Sequence, residues 1–341
     1  MMMNQKPPWW KSALQFAVGI GLIAAIGIIA YQLWPRPGVP PGWLTIRPPQ
    51  DVMAMVEYGD SIWAGGRDGL VVIDRETGEL IREVEFDSTL DFVTSIVPEP
   101  SGGGLWIGHL NGLTQLSGKS WRTFTASDGL LDDQIHSLGY DKEGTLWIGT
   151  DKGVMWYDGE SLESAYDEIP IMQGPVSVIY QDNRGRMWFG NGQTTAGGLA
   201  MFDGTIWHGF SVENGLVHNM VNAVLEDSDG LIWIGTGFAN LGGVSLYDGA
   251  SMMNFTVEDG LAGPKVRSLY LDAAGNLWAG SEYDGIALQS NAGWRILTPK
   301  DGLTGWEVKA MLQDSEMNLW FGTENGLTRI ERAAWETLVG D

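Results

Sequence analysis

A tryptophan recurs seven times along this chain in one setting, with an aliphatic residue or methionine before it and a glycine two positions after it. The copies are Ile62-Trp63, Leu105-Trp106, Leu146-Trp147, Met187-Trp188, Ile232-Trp233, Leu277-Trp278 and Leu319-Trp320, spaced by 43, 41, 41, 45, 45 and 42 residues. That period is the roughly 40 to 50 residues of blade repeats, and the 3.6-residue amphipathic pattern that a helical solenoid needs is absent. Some twelve residues before each tryptophan stands a β-branched residue with a large apolar one three places on: Val52/Met55, Val93/Ile96, Ile135/Leu138, Val176/Ile179, Val221/Val224, Val266/Leu269 and Val308/Met311. These read as a first strand, joined to the tryptophan strand by turns such as Asp141 to Gly144, where Asp closes an Asx-turn and Gly takes positive φ. A third strand follows a glycine, as in Gly153-Val154. A fourth is read at Trp121/Phe124, Trp207/Phe210, Trp294/Leu297 and Trp335/Leu338.

Four strands per repeat make a blade, and seven blades of about 42 residues fill the span 42–341. The expectation is an all-β, seven-bladed β-propeller, a closed ring that leaves no long sheet edge exposed. The 48 glycines and 17 tryptophans suit such turn-rich structure. Both Trp43-Leu44-Thr45-Ile46 and Trp335-Glu336-Thr337-Leu338 look like fourth strands at the ring junction, and Trp43 to Ile46 is expected to complete the last blade.

Ahead of the repeats, Ala13 to Leu33 is apolar apart from Gln15 and Gln32, enough for a helix of roughly 30 Å, one bilayer core. Trp9, Trp10, Tyr31 and Trp34 flank it, and Lys6 and Lys11 precede it, which favours an inside N-terminus. The organisation predicted is a short cytoplasmic tail over 1–11, a transmembrane helix over 12–34, a Pro-rich spacer over 35–41 and the propeller over 42–341. The protein is then a single-pass protein of the cytoplasmic membrane with its propeller on the periplasmic or extracellular side. A cleaved signal peptide is the alternative, although its apolar run is normally shorter.

The formal charge of −23 argues against nucleic acid as a partner. With no cysteine there is no disulfide, zinc ribbon or thiol nucleophile. The four histidines, His109, His136, His208 and His218, show no metal-ligand spacing, and no nucleophile elbow, Walker loop or dinucleotide fingerprint occurs. No catalytic residue, metal or cofactor is assigned. The repeated tryptophans read as packing between blades.

Val221, Val224, the run Glu226-Asp227-Ser228-Asp229-Gly230-Leu231-Ile232-Trp233-Ile234-Gly235-Thr236 and the loop Asp259-Gly260-Leu261 resemble the two-component regulator propeller repeat. The resemblance covers about residues 51–341, most weakly in blades one and three, which lack the Asp-Gly-Leu element. It implies an extracytoplasmic sensor domain of the sort found in membrane kinases, some of which respond to oligosaccharides. No kinase, response-regulator or DNA-binding region follows in this sequence, so signalling by this chain alone is not expected.

The reading of function is therefore a membrane-anchored, non-catalytic binding module, either a ligand sensor working with a separate transducer or an accessory subunit of a membrane complex. Its partner is a membrane protein or signal transducer, or a glycan or small molecule. The alternative is a propeller-fold lyase or hydrolase acting on a carbohydrate or similar substrate. Binding in such folds resides on loops over a rigid scaffold. Blades four and five have longer links between second and third strands, Gly190 to Gly198 and Gly235 to Gly243. The candidate site joins Gln193, Thr194, Phe238 and Asn240 from those links to His218, Asn219, Lys265 and Trp306 from fourth-to-first-strand loops. Asparagine is frequent in the family at the position of Asn219, which Asp133, Pro264 and Trp306 fill in other blades.

Overall fold

The computed structural model describes residues 38–83, 90–165, 172–291 and 293–340. The chain divides into two units, Met1–Gly38 and Val39–Asp341, and the strands of the described residues lie in the second. The predicted membrane segment falls outside the described residues. Among those described, no helix is long and apolar enough to cross a membrane.

Seven four-stranded antiparallel sheets form the ring. Blade one contains β2 (Val52–Tyr58), β3 (Ser61–Gly66), β4 (Gly69–Asp74) and β5 (Leu80–Glu83). Blade two runs from β6 (Ser95–Pro98) to β9 (Ser120–Phe124), and blade three from β10 (Ile135–Tyr140) to β13 (Leu162–Ser164). Blade four runs from β14 (Val176–Gln181) to β17 (Trp207–Phe210), blade five from β18 (Val221–Glu226) to β21 (Met252–Phe255), and blade six from β22 (Val266–Leu271) to β25 (Gly293–Leu297). Blade seven joins β26 (Val308–Gln313), β27 (Leu319–Thr323) and β28 (Gly326–Ile330) to β1 (Trp43–Ile46), with Trp43 opposite Ile330 and Ile46 opposite Leu327. The N-terminal strand thus closes the ring, as expected.

The C-terminal strand expected at Trp335 is instead a helix, α1 (Arg332–Gly340). β1 already occupies the free edge of β28, so a second strand would find no partner there. Ala333 and Ala334 favour helix. Trp335, Leu338 and Val339 follow the i, i+3, i+4 spacing of one helix face and pack on blade seven. The Trp335 indole donates to the Met317 carbonyl at 2.7 Å.

The two sequence markers meet across each blade junction. A Cβ on the glycine of the tryptophan strand would collide with the β-branched residue that opens the next blade: Gly65 with Val93 Cγ1 at 2.3 Å, Gly108 with Ile135 Cγ2 at 2.6 Å, Gly190 with Val221 Cγ1 at 2.7 Å. Gly322 meets Val52 Cγ1 at 2.7 Å, so the same lock joins the last blade to the first. The glycine is required because the neighbouring sheet rests on the backbone itself.

The seven tryptophans are buried between blades. In five blades the aspartate of the preceding turn accepts the indole N–H: Asp141 from Trp147, Asp182 from Trp188, Asp227 from Trp233 and Asp314 from Trp320 at 2.8 Å, and Asp272 from Trp278 at 3.0 Å. One carboxylate therefore both closes the turn and satisfies the buried donor. Burial pushes the Asp182 carboxyl up, but the hydrogen bonds from Trp188 and Arg186, with the charge of Arg186, hold it below the usual carboxylate range. The sequence reading recognised the turn role of these aspartates and missed the bond to tryptophan.

Candidate functional site

Each first strand begins beside the end of its second strand, as where Val52 faces Gly66 and Val221 faces Thr236. Connections entering a blade and connections from its second to its third strand therefore share one face of the ring. That loop face carries all eight residues of the sequence-derived site.

The loops entering blades three, five, six and seven share one construction. A Ser or Thr and an Asp or Asn three places on bond to each other's backbone region, as Thr256 N donates to Asp259 Oδ2 at 2.8 Å and Thr298 N to Asp301 Oδ2 at 2.9 Å. The following Leu130, Leu216, Leu261 or Leu303 is buried, and Met172 is buried before blade four, where the Asp-Gly-Leu element is missing. Asn219 Oδ1 accepts from Val212 N at 2.9 Å, and Asp133 Oδ1 accepts from Ala126 N at 2.6 Å. Asn219 thus closes its own loop, and its Nδ2 donates to Thr195 O at 3.2 Å. A proline or tryptophan side chain at the equivalent place has no carbonyl to offer, and Trp306 there is free to project.

The structure divides the eight residues into three neighbouring groups. Gln193, Thr194, His218 and Asn219 lie where blade four meets blade five, with Gln193 over Gly174 and the His218 Nδ1 accepting from Met220 N at 2.9 Å. Burial lowers the His218 pKa. Phe238 and Asn240 lie at the tip of blade five. Here the predicted loop is mostly strand, because β19 (Ile232–Phe238) and β20 (Leu241–Tyr247) pair up to Phe238 opposite Leu241. The tight turn uses Ala239 at φ 51, beside Gly237 and Gly242 at φ 134 and 137. Blade four keeps its open connection between Met187–Asn191 and Gly198–Phe202.

Lys265 is buried under this tip, its Nζ 5.7 Å from the Phe238 ring centroid and 2.7 Å from Glu282 Oε1. Trp306 forms the third group. It borders a cavity of about 510 Å³ with Glu282, Tyr283, Asp284, Glu307 and Glu324. Phe238 is 51% exposed, Tyr283 66% and Trp306 41%. The loops that carry Tyr283 and Trp306 are braced, since Glu324 accepts from the backbone N–H groups of Trp306 at 3.0 Å and Glu307 at 2.9 Å, and Gly285 N donates to Trp306 O at 2.9 Å. The Glu282 carboxylate beside Tyr283 raises the pKa of its phenol. Sequence reasoning missed Tyr283, because its loop has the ordinary length and no repeat position flags it.

At the centre of the ring the sequence reading also missed a second feature. The residue directly after each β-branched marker stands at the channel mouth: Met53, Thr94, His136, Ser177, Asn222, Arg267 and Lys309 all border one cavity of about 240 Å³, together with Met220. In every blade but the second, the first strand shifts register across this residue. A bulge turns a side chain that would otherwise enter the sheet ladder. Three of these residues fasten neighbouring blades: Thr94 Oγ1 donates to Ile135 O at 2.6 Å, Ser177 Oγ to Val221 O at 2.5 Å and Asn222 Nδ2 to Val266 O at 2.9 Å. The signal in the sequence was the fixed offset of one from each marker.

Among the described residues no group of three histidines, aspartates or glutamates is placed to hold a metal. His109 is buried and bonded to Thr114 Oγ1 at 2.9 Å, and burial lowers its pKa to about 4. It occupies the position that Thr150, Thr236 and Thr323 fill in other blades.

Fold and loop face define a repeat scaffold of the β-propeller class. A family model described as two component regulator propeller matches residues 129–152, 170–193, 215–238 and 260–283, so the chain carries that repeat in blades three to six. The second of these matches lacks the Asp-Gly-Leu loop. Among solved structures, the extracellular domain of a hybrid two-component system from B. thetaiotaomicron superposes with a TM-score of 0.73 at 21% identity, over 86% of this chain and 41% of that one. PorZ, a surface component of the type-IX secretion system of Porphyromonas gingivalis, gives 0.65 at 16% identity, over 84% of this chain and 47% of that one. Virginiamycin B lyase from Staphylococcus aureus gives 0.67 at 13% identity, over 85% and 98%. The chain thus spans less than half the length of the first two, and at these identities the likeness is one of fold. No curated protein matches the sequence significantly.

Proposed function

We propose that this chain is a membrane-tethered, extracytoplasmic propeller that holds a partner on the loop face of blades five to seven, and that it is not itself a catalyst. The observation that carries the reading is the set of exposed aromatics on adjacent blades, with Tyr283 and Trp306 bordering one cavity on braced loops and Phe238 at the tip of the neighbouring blade-five hairpin. Aromatic side chains fixed on a rigid base are the usual anchors of binding surfaces, since they bury large area at little entropic cost. The apolar run at 13–33 and the lysines before it support the tether and its orientation. The two-component propeller repeat supports a role beside a separate signal transducer. PorZ offers the precedent of a propeller-bearing component of a secretion system, which fits the accessory-subunit form. The lyase alternative draws only on a likeness of fold.

The test is gentle detergent extraction of the full chain from native membranes, with mass spectrometry of co-purifying proteins. A stoichiometric partner that is lost in Trp306→Ala with Phe238→Ala supports the proposal. Recovery of a lone chain, or capture unchanged by the double substitution, overturns it.

A further inference from the structure

The channel mouth differs in character from the rest of the surface. In a chain with 43 acids and 20 bases, the seven ring positions hold Arg267, Lys309 and His136 and no acid at all. Behind the ring, charges are shared unevenly. Asp51 serves both Arg67 and Lys309, and Glu307 serves both Lys309, at 3.0 Å, and Arg267, at 3.4 Å. Two carboxylates therefore balance three cations. Arg267 meets Glu307 through Nε, and no hydrogen bond from its two terminal nitrogens is found among the described residues. His136 binds Asp151 Oδ1 at 3.1 Å and closes the opposite side of the cavity.

We propose that the channel mouth is an oxyanion site, in which the Arg267 guanidinium takes a carboxylate or a sulfate-like or phosphate-like group of a ligand. The planar fork of arginine suits two oxygens of such a group. The cavity of about 240 Å³ is smaller than pockets that enclose a whole small molecule, roughly 300 Å³ and upward, so it takes the charged end and leaves the remainder at the mouth. The strand bulges serve this directly, since they turn Arg267 and its ring neighbours out of the ladder and into the channel. Thr94, Ser177 and Asn222 are committed to the next blade and act as wall. The surrounding acidic surface repels anions, so an anion held here must be paired by specific contacts.

Met53 and Met220 lie on the cavity and provide reporters. The experiment is a titration of the full chain, in detergent and labelled at its methionine methyl groups, with sodium acetate, sodium sulfate or sodium chloride at matched ionic strength. The Met53 and Met220 signals should move saturably with acetate or sulfate, and the arm that saturates at lower concentration tells carboxylate from sulfate-like recognition. Arg267→Gln should weaken that binding by at least about tenfold, with Arg267→Lys between. Trp306→Ala and Phe238→Ala should leave it unchanged, so this site and the rim can fail separately. Linear, chloride-like shifts in the unsubstituted protein would overturn the proposal whatever the variants do. So would equal saturation in a folded Arg267→Gln protein.

Discussion

The junctions between blades and the loop face are built from the same seven repeats, yet they differ in how far they keep the repeat. At the junctions every blade presents the same pair, a glycine of the tryptophan strand against the β-branched residue of its neighbour, and the lock from Gly322 to Val52 repeats what Gly65 does with Val93. On the loop face the residue one place beyond that β-branched marker is different in all seven blades. The junction must satisfy one steric condition seven times. The loop face must satisfy whatever it binds, which has no sevenfold symmetry, and its departures from the repeat are where recognition is to be sought.

The largest test of this contrast is Trp188→Ala, which removes a fully buried indole and one of the donors to Asp182. It should cost about 4 kcal/mol in denaturant unfolding, near the middle of the range for buried aromatic truncation. A loss below about 1 kcal/mol would mean that the junctions do not carry the fold.

His109 sharpens the comparison through pH. Its folded pKa of about 4 lies below the ordinary 6.5, so the folded state prefers the neutral ring. The stability tied to that ring is present above pH 6.5 and is lost as pH falls toward 4, by at most about 3 kcal/mol. His109→Thr, which copies the other blades, should remove that loss. The difference in stability between the two proteins should therefore shift in favour of the variant below pH 6.5. A difference constant from pH 7 to 4 would contradict the buried neutral histidine.

Gly322→Ala places a Cβ 2.7 Å from Val52 Cγ1 and should cost about 2 kcal/mol by overpacking. The smallest expected effect is that of Trp306→Ala on stability, within about 0.5 kcal/mol, since the side chain is 41% exposed. If thermal unfolding ranked Trp306→Ala as more damaging than Gly322→Ala, the division between structural junction and recognition face would break.

The same contrast explains what the sequence made legible. Tryptophan, glycine and β-branched markers repeat because packing at the junction allows few alternatives, and from them the blade number and ring closure follow. Trp335 misled because a Trp followed by Leu three places on fits a strand edge and a helix face equally well. Only the occupancy of the β28 edge by Trp43 to Ile46 decides between them. Blade five misled because extra length between strands reads as loop, while cross-strand pairing of Phe238 and Leu241 turns it into hairpin. Of the site, Trp306 and Phe238 stood out as unusual residues at loop positions, whereas Tyr283 and the ring from Met53 to Lys309 became visible only when distant repeats were brought to one face.

Photocrosslinking in native membranes, with a photoreactive amino acid placed at Trp306 on the loop face or at Glu143 on the opposite face, tests the central claim most directly. A partner held on the loop face should give a discrete crosslinked product from position 306 and none from position 143. Crosslinks from 143 with none from 306 would contradict that claim.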